Sequence, residues 1–151
     1  MKVLLKQQHD ISETEVEIRY AVLDDAVQNL INRVEQCSQY ICGEDNGRQY
    51  RILLDDIFYI ESIDRKTFIY TKSKVYRSEI RFNQILDKLK SADFVQVNKS
   101  CILNINMLDN IGTLYNSKME GMLINGEKII ISRTFIPNIK AVFAKERRSA
   151  T

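Results

Sequence analysis

The sequence has very few of the residues on which catalysis and metal binding usually depend. His9 is the only histidine, and it lies near the amino terminus. The three cysteines, Cys37, Cys42 and Cys101, form no CxxC pair, so no Cys/His zinc site can be assembled and free, buried thiols are expected. The sequence contains no glycine-rich phosphate loop and no HExxH motif. These absences argue against an enzyme and against a bound metal or cofactor.

Long hydrophobic runs are also missing. A helix that crosses a bilayer needs about 20 apolar residues, and no run in the sequence approaches that length. The first residues lack a secretory signal pattern, because only three apolar residues separate Lys2 from Lys6. We therefore expect a cytoplasmic protein. Its 151 residues, 44% hydrophobic and 28% charged, suffice for one globular domain with a small extension.

What the sequence does contain is an uneven distribution of charge. The formal net charge of +2 hides two parts of opposite sign. Residues 1–61 carry six Lys/Arg and twelve Asp/Glu, whereas residues 62–151 carry sixteen and eight, so the net charges are −6 and +8. A basic carboxy-terminal part is typical of a protein that binds a polyanion.

The first 40 residues predict a small arm of two strands and a helix. Residues 2–6 and 15–20 are the expected strands, and the second alternates apolar with charged residues. Asp24 or Asp25 can cap the helix that follows. Its apolar stripe is formed by Val27, Leu30, Ile31 and Val34. Such an arm is too small to fold well alone, so it should pack on the rest of the chain or pair with another copy.

From residue 38 onward the pattern is one of short strands and brief turns. About nine strands are expected, with hairpins at Asn46-Gly47, a type I′ turn signal, and at Asn125-Gly126. Two further helices are expected, one capped by Ser78 and one at the end of the chain with Pro137 in its first turn. The predicted fold class is α+β, mainly β: an antiparallel β domain with an N-terminal strand-strand-helix arm and a C-terminal helix.

Basic residues gather where the expected strands end. They are Arg65, Lys66, Lys72, Lys74, Arg77, Lys99 and Arg133. Loops on one rigid β scaffold can place such side chains on phosphates, which they neutralise, and on base edges, where arginine can donate to guanine N7 and O6. A rival function from another class also fits: a protein-interaction adaptor with a basic face and a dimerising N-terminal arm.

Three motifs occur in order in the basic part. They are IFYIES at residues 57–62, FVQVNKSCILN at residues 94–104 and NGEKIIISR at residues 125–133. Their content and order resemble the LytTR family of bacterial DNA-binding domains, over about residues 41–142. In the second motif the family often has Arg and His where this sequence has Gln96 and Asn98.

The resemblance implies a transcription regulator that binds double-stranded DNA and needs no cofactor or small-molecule substrate. The family binds through loops of an elongated antiparallel β fold that spans two major grooves and the minor groove between them, often at paired direct repeats. Carried over by position, the base-contact candidates are Lys66 or Thr67, then Lys99 and Arg133. The candidates for contacts to the DNA backbone are Arg65, Arg77, Asn98, Ser100 and Ser132.

The resemblance also implies an organisation in two parts: an arm, residues 1–40, and a LytTR-like domain, residues 41–147. Most family members carry a phosphoacceptor domain in front, for which the first 40 residues leave no room. The chain therefore resembles the short stand-alone type, which is often encoded beside a small membrane protein that restrains it. The expected partners are DNA, a second copy in a homodimer (at least on DNA) and a small membrane-bound inhibitor protein.

Several residues of the motifs have structural interpretations. Asn104 is expected to satisfy backbone groups in a turn, and Ser100 fits a turn cap as well as a phosphate contact. The aromatic residues are expected in the core or as cross-strand partners rather than as platforms for base stacking. These residues are Phe58, Tyr59, Phe68 and Phe94.

Overall fold

The computed structural model describes residues 1–37, 39–89 and 92–149, with side chains described through residue 143. These residues form three helices and ten strands, and every strand pairing among them is antiparallel. In chain order the elements are α1 (Asp25–Cys37), β1 (Tyr40–Asp45), β2 (Arg48–Leu53), β3 (Ile57–Ile63), β4 (Lys66–Thr71), β5 (Val75–Ser78), α2 (Phe82–Lys88), β6 (Phe94–Asn98), β7 (Cys101–Asn104), β8 (Leu108–Thr113), β9 (Met119–Leu123), β10 (Lys128–Ile131) and α3 (Ile136–Ser149). The predicted fold class, mainly antiparallel β with an N-terminal and a C-terminal helix, is confirmed.

The strands form two sheets. The larger has seven strands in the order β2-β1-β5-β4-β3-β7-β6, and the smaller has three in the order β10-β9-β8. Because side chains alternate across a strand, the large sheet serves two cores. Ile60 and Ile102 pack with Ile85 of α2 on one face, while Leu103 on the other face packs with the small sheet and with Ile139 of α3. The large sheet is thus the middle layer, and its two ends remain available for contacts.

The two hairpins predicted from Asn-Gly pairs both exist. Asn46 and Gly47 have φ angles of 51° and 76°, the left-handed conformation that a type I′ turn needs at both central positions. The loop between β9 and β10 is longer, and there Gly126 takes a φ of 87°. The Asn125 side chain accepts a hydrogen bond from the backbone N–H of Glu127 at 3.0 Å. Turn chemistry therefore sets the register of both strand pairs.

The beginning of the chain differs from the expectation. Residues 1–24 contain no helix and no strand, so the strands predicted at residues 2–6 and 15–20 are wrong for the single chain. Among the described residues, residues 1–21 take part in no backbone–backbone hydrogen bond. A strand needs a partner for its backbone groups, and a lone two-stranded hairpin is marginally stable in water. These residues therefore have the sequence pattern of strands but no neighbouring strand to pair with in the described chain.

Helix α1 is capped as expected and is attached to the domain by polar contacts. Asp24 Oδ1 accepts a hydrogen bond from the N–H of Val27 at 2.9 Å. Gln36, which is 1% exposed, donates to Asp55 Oδ1 at 3.1 Å and accepts from the N–H of Asp93 at 3.0 Å. The apolar stripe of α1 is only half-buried. One buried amide, rather than hydrophobic packing alone, therefore fixes the helix to the domain.

The second and third helices begin in different ways from one another. The N-cap of α2 is Arg81 rather than Ser78, which corrects the prediction. Ser78 instead ends β5 in a buried position, and its hydroxyl accepts a hydrogen bond from the N–H of Ile80 at 3.1 Å. Pro137 lies in the first turn of α3, as expected, because a proline there misses no intrahelical hydrogen bond.

The structural interpretation of Asn104 is confirmed. The side chain is fully buried, donates to the Ile57 carbonyl at 2.8 Å and accepts from the N–H of Asn106 at 3.0 Å. The four aromatic residues expected in the core or across strands, Phe58, Tyr59, Phe68 and Phe94, are all buried or half-buried. Tyr59, for example, stacks on Tyr70 of the neighbouring strand with ring centroids 4.2 Å apart. These residues build the scaffold rather than its surface.

Candidate nucleic-acid interface

The strand topology brings two turns together at one end of the large sheet. Because β3 runs antiparallel to β7, with Glu61 opposite Cys101, the turn after β3 lies beside the turn before β7. The N–H of Ser62 donates to the Ser100 carbonyl at 2.8 Å, which ties the two turns to each other. The exposed basic residues at this end are Arg65, Lys66, Arg77, Lys99 and Arg133. We call this group of five the basic end.

The segment after β10 reaches the same end. The N–H of Ser132 donates to the Val97 carbonyl at 2.9 Å, and the Asn98 side chain donates to the Ile130 carbonyl at 3.1 Å. The register of β6 against β7 shifts at this point, and such bulges redirect backbone groups. Arg133 directly follows Ser132 and is exposed. The third motif is thereby joined to the second.

Lys99 lies in a turn that the Asn98 side chain holds. Asn98 Oδ1 accepts hydrogen bonds from the backbone N–H of Ser100 at 2.9 Å and from its hydroxyl at 3.1 Å. This is the local bonding by which asparagine stabilises a turn. Asn98 and Ser100 therefore position the exposed Lys99. Their own contacts to DNA phosphates stay predictions.

The turn between β3 and β4 has an unusual composition. Asp64 and Arg65 have φ angles of 50° and 66°, and Ile63 pairs with Lys66 across them. This is two-residue hairpin geometry, for which Asn-Gly is the usual choice. A residue with a Cβ in this conformation costs about 1–2 kcal/mol. The Arg65 side chain is exposed at this strained position.

The remaining candidates of the first turn and of β5 differ in accessibility. Lys66 is exposed, whereas Thr67 is 3% exposed and lies between Ser62 and Ser78 of the neighbouring strands. A buried hydroxyl cannot reach a base edge, so the candidate of this turn is corrected to Lys66. Arg77 is exposed.

Two other basic residues lie at the opposite end of the large sheet. Lys72 and Lys74 belong to the turn that follows β4. Strand β4 begins at Lys66, at the basic end, so the turn after it lies at the other end of the sheet. Lys74 Nζ is 3.8 Å from the Asp45 carboxylate, beside the Asn46-Gly47 hairpin. The sequence pattern of basic residues at strand ends therefore divides into two sets, and only one of them forms the basic end.

A cluster of tyrosines, carboxylates and a thiol lies mainly on β3, β4 and β7. Tyr70 donates to Glu61 Oε2 at 3.1 Å, and burial together with this bond raises the pKa of Tyr70 to about 12. Burial and a hydrogen bond to Glu127 raise the pKa of Tyr59. Burial also raises the pKa of the Cys101 thiol to about 12. All three groups are protonated near neutral pH, so none of them is an activated nucleophile.

One contact of the basic end was missed from the sequence. The Asn98 side chain donates to the Ile130 carbonyl, 32 positions away along the chain, whereas the spacing of Asn98 and Ser100 was an available turn signal. In the part of the chain that the structure describes, no group of three or more His, Cys, Asp or Glu is placed to hold a metal. None of the described helices is long and apolar enough to cross a membrane.

Comparison with known proteins identifies a DNA-binding domain, as the exposed basic end indicates. Residues 47–144, about two thirds of the chain, match the family model described as LytTr DNA-binding domain. The chain is similar to the sensory transduction protein LytT of Enterococcus faecalis, with 30% identity over 100 residues that cover 66% of this chain and 40% of that protein. It is similar to LytT of Bacillus anthracis, with 30% identity over 87 residues, or 58% and 35% of the two chains. The chain thus spans about 40% or less of the length of these relatives.

A solved LytTr DNA-binding domain from Bacillus cereus has the same fold. Its TM-score is 0.65, and the match covers 70% of this chain and 97% of that domain. Sequence identity is 16%, so this likeness concerns the fold alone. The family match and the similarity to the LytT proteins show the family as well as the fold. The chain belongs to the LytTR family of DNA-binding domains, which is not a family of enzymes.

Proposed function

We propose that this protein is a cytoplasmic, sequence-specific transcription regulator that reads DNA with its basic end. The observation that carries the proposal is the convergence of turns from three separate motifs at one end of the large sheet. Two backbone hydrogen bonds, Ser62 to Ser100 and Ser132 to Val97, hold these turns together. Exposed cations fixed on a rigid scaffold can contact phosphates and bases at the same time.

The roles follow from side-chain chemistry. Lys66, Lys99 and Arg133 contact base edges in the major groove, where an arginine fork matches guanine and a lysine reaches a single acceptor. The DNA backbone is bound by neighbouring residues, namely Arg65, Arg77, Asn98, Ser100 and Ser132. The carbonyl of Ser132 accepts a hydrogen bond from the N–H of Phe135 at 2.9 Å, which fixes the short turn that carries Arg133.

The proposed division of the chain lies at residue 40, and Gln36 of α1 attaches the first part to the second. Residues 41–147 form the DNA-binding unit, and residues 1–40 form the arm. Two copies occupy paired half-sites arranged as direct repeats, so the protein acts as a homodimer at least on DNA. A small membrane-bound inhibitor protein restrains it through the arm. The exposed apolar residues of the arm support a role in protein contacts.

The test compares single substitutions at the two ends of the large sheet. Lys99→Ala and Arg133→Ala are expected to weaken binding to DNA from upstream of the protein's own operon by about 1–3 kcal/mol, or about 5- to 150-fold. The loss on random duplex should be smaller, because only the specific complex uses base contacts. Lys72→Ala and Lys74→Ala remove the same charge at the opposite end and serve as controls. Fluorescence anisotropy at near-physiological salt gives all the affinities.

Two results would contradict the proposal. Equal losses on specific and random DNA would show that Lys99 and Arg133 do not read bases. If random duplex displaced the wild-type protein from the upstream site as well as the site itself does, the basic end would be a nonspecific cationic surface. The adaptor function, in which the basic face meets an acidic protein, would then be favoured.

A further inference from the structure

The arm exposes more large apolar side chains than the rest of the described chain does. Among the described residues seventeen large hydrophobic side chains are exposed, and nine of them lie in residues 1–23. These nine are Met1, Val3, Leu4, Leu5, Ile11, Val16, Tyr20, Val22 and Leu23. Scattered exposed apolar residues are normal, but a concentrated group marks an interaction surface.

The backbone of the same segment also lacks partners. Residues 1–21 make no backbone–backbone hydrogen bond in the described part of the chain. Side chains from both predicted strands line one cleft of about 470 Å³, with Lys2, Leu4 and Lys6 from the first and Glu15, Val16 and Glu17 from the second. The two segments are therefore close to each other, yet they form no ladder.

The charges of the two segments are opposite. The first carries Lys2 and Lys6, and the second carries Glu15, Glu17 and Arg19, so their net charges are +2 and −1. Within the described chain neither lysine pairs with these glutamates, and Glu17 instead lies 3.2 Å from Arg19. Opposite charges that face each other across an antiparallel pair stabilise it, and like charges destabilise it. The first segment is thus complementary to the second.

We propose that a second copy of this chain covers the arm. Residues 2–6 of one copy pair with residues 15–20 of the other as antiparallel strands, and the reciprocal pair forms at the same time. This inference rests on the dimer of the proposed function and gives it an interface. Because both complementary segments belong to one arm, a two-fold axis satisfies all four strands, and the assembly closes at two copies.

Pairing between copies would account for each feature of the arm. It gives the free backbone groups the partners that a strand requires, and it buries apolar side chains that the single chain leaves in water. Residues 1–21 make no backbone hydrogen bond to the domain among the described residues.

A charge-exchange experiment on the full chain tests this pairing. One variant carries Lys2→Glu and Lys6→Glu, and the other carries Glu15→Lys and Glu17→Lys. Each variant alone would bring like charges together at both reciprocal pairs, so sedimentation equilibrium should show dimerisation weakened at least about tenfold. In a 1:1 mixture both pairs become attractive again, and a heterodimer of wild-type affinity is expected. Pairing within one chain would not be rescued by mixing.

The control is a matched double reversal, Lys88→Glu with Lys118→Glu, at exposed positions outside the arm, which should leave dimerisation unchanged. The inference is overturned if the wild type remains monomeric at its solubility limit, if mixing restores nothing, or if the control weakens dimerisation as much as the arm variants. Wild-type affinity for a single half-site is measured separately. A wild type that stays monomeric but binds the half-site overturns the arm pairing alone, and a wild type that dimerises without binding the half-site overturns the proposed function alone.

Discussion

Replacing Arg65 with glycine is expected to stabilise the fold while weakening DNA binding. Arg65 has a φ of 66° in the turn between β3 and β4. An L-residue in this conformation costs about 1–2 kcal/mol, and glycine removes that cost but loses about 0.5–1 kcal/mol through the entropy of its unfolded chain. The expected net gain in the free energy of unfolding is therefore about 0.5–1 kcal/mol.

Urea denaturation and DNA titration measure the two effects of Arg65→Gly. With a urea dependence of about 2 kcal/mol per M, the unfolding midpoint should rise by about 0.25–0.5 M. The substitution also removes one cation from the basic end. If that cation contacts a phosphate, the slope of log affinity against log salt should become shallower by about 0.9.

Arg48→Gly is the matched control for Arg65→Gly. Arg48 is exposed at the start of β2, beside the hairpin at the opposite end of the large sheet, and it is not among the residues with a positive φ. Glycine there should lower the free energy of unfolding by about 0.5–1 kcal/mol and leave the salt slope unchanged. If Arg65→Gly were destabilising to the same extent, the strain argument would be refuted. A higher stability with an unchanged salt slope would refute the phosphate contact.

Two further predictions concern the scaffold. Asn104→Ala leaves the Ile57 carbonyl and the Asn106 N–H without their side-chain partners and should lower the free energy of unfolding by about 1–3 kcal/mol in urea denaturation; an unchanged midpoint would contradict that role. The pKa of Tyr70, about 12 in the fold, lies above the ordinary tyrosine value of 10.0. Its protonated form therefore stabilises the fold below pH 10, and this contribution is lost as the pH rises from 10 to 12. Comparing tyrosinate absorbance of the folded wild type with that of Tyr70→Phe should reveal one tyrosine ionising near pH 12, and ionisation near pH 10 would refute the shift.

The strands of the domain could be predicted because their signals are local. Asn46-Gly47 set the first hairpin through the left-handed conformation that both residues accept. The burial of Thr67 could also have been predicted from local signals. It lies two residues from the buried Ile69 on one strand, and residues so spaced share a face, so the alternation already placed its side chain inward.

The features that the sequence did not reveal depend on partners elsewhere. Arg65 has no compositional preference for a left-handed turn, and the surrounding strand register imposes that conformation. Burial of Gln36 depends on Asp55 and Asp93, both distant along the chain. The predicted strands of the arm failed because a strand pattern states which face is apolar but not which backbone pairs with it.

The most direct test of the basic end compares two double substitutions that remove the same charge from opposite ends of the large sheet. Lys99→Ala with Arg133→Ala changes the turns that we place on DNA, and Lys72→Ala with Lys74→Ala changes the other end. The measurement is the anisotropy-derived affinity for the upstream duplex at one fixed salt concentration. We expect the first variant to lose specific binding and the second to retain nearly wild-type affinity. Equal losses from both variants, or a greater loss from the second, would contradict DNA recognition by the basic end.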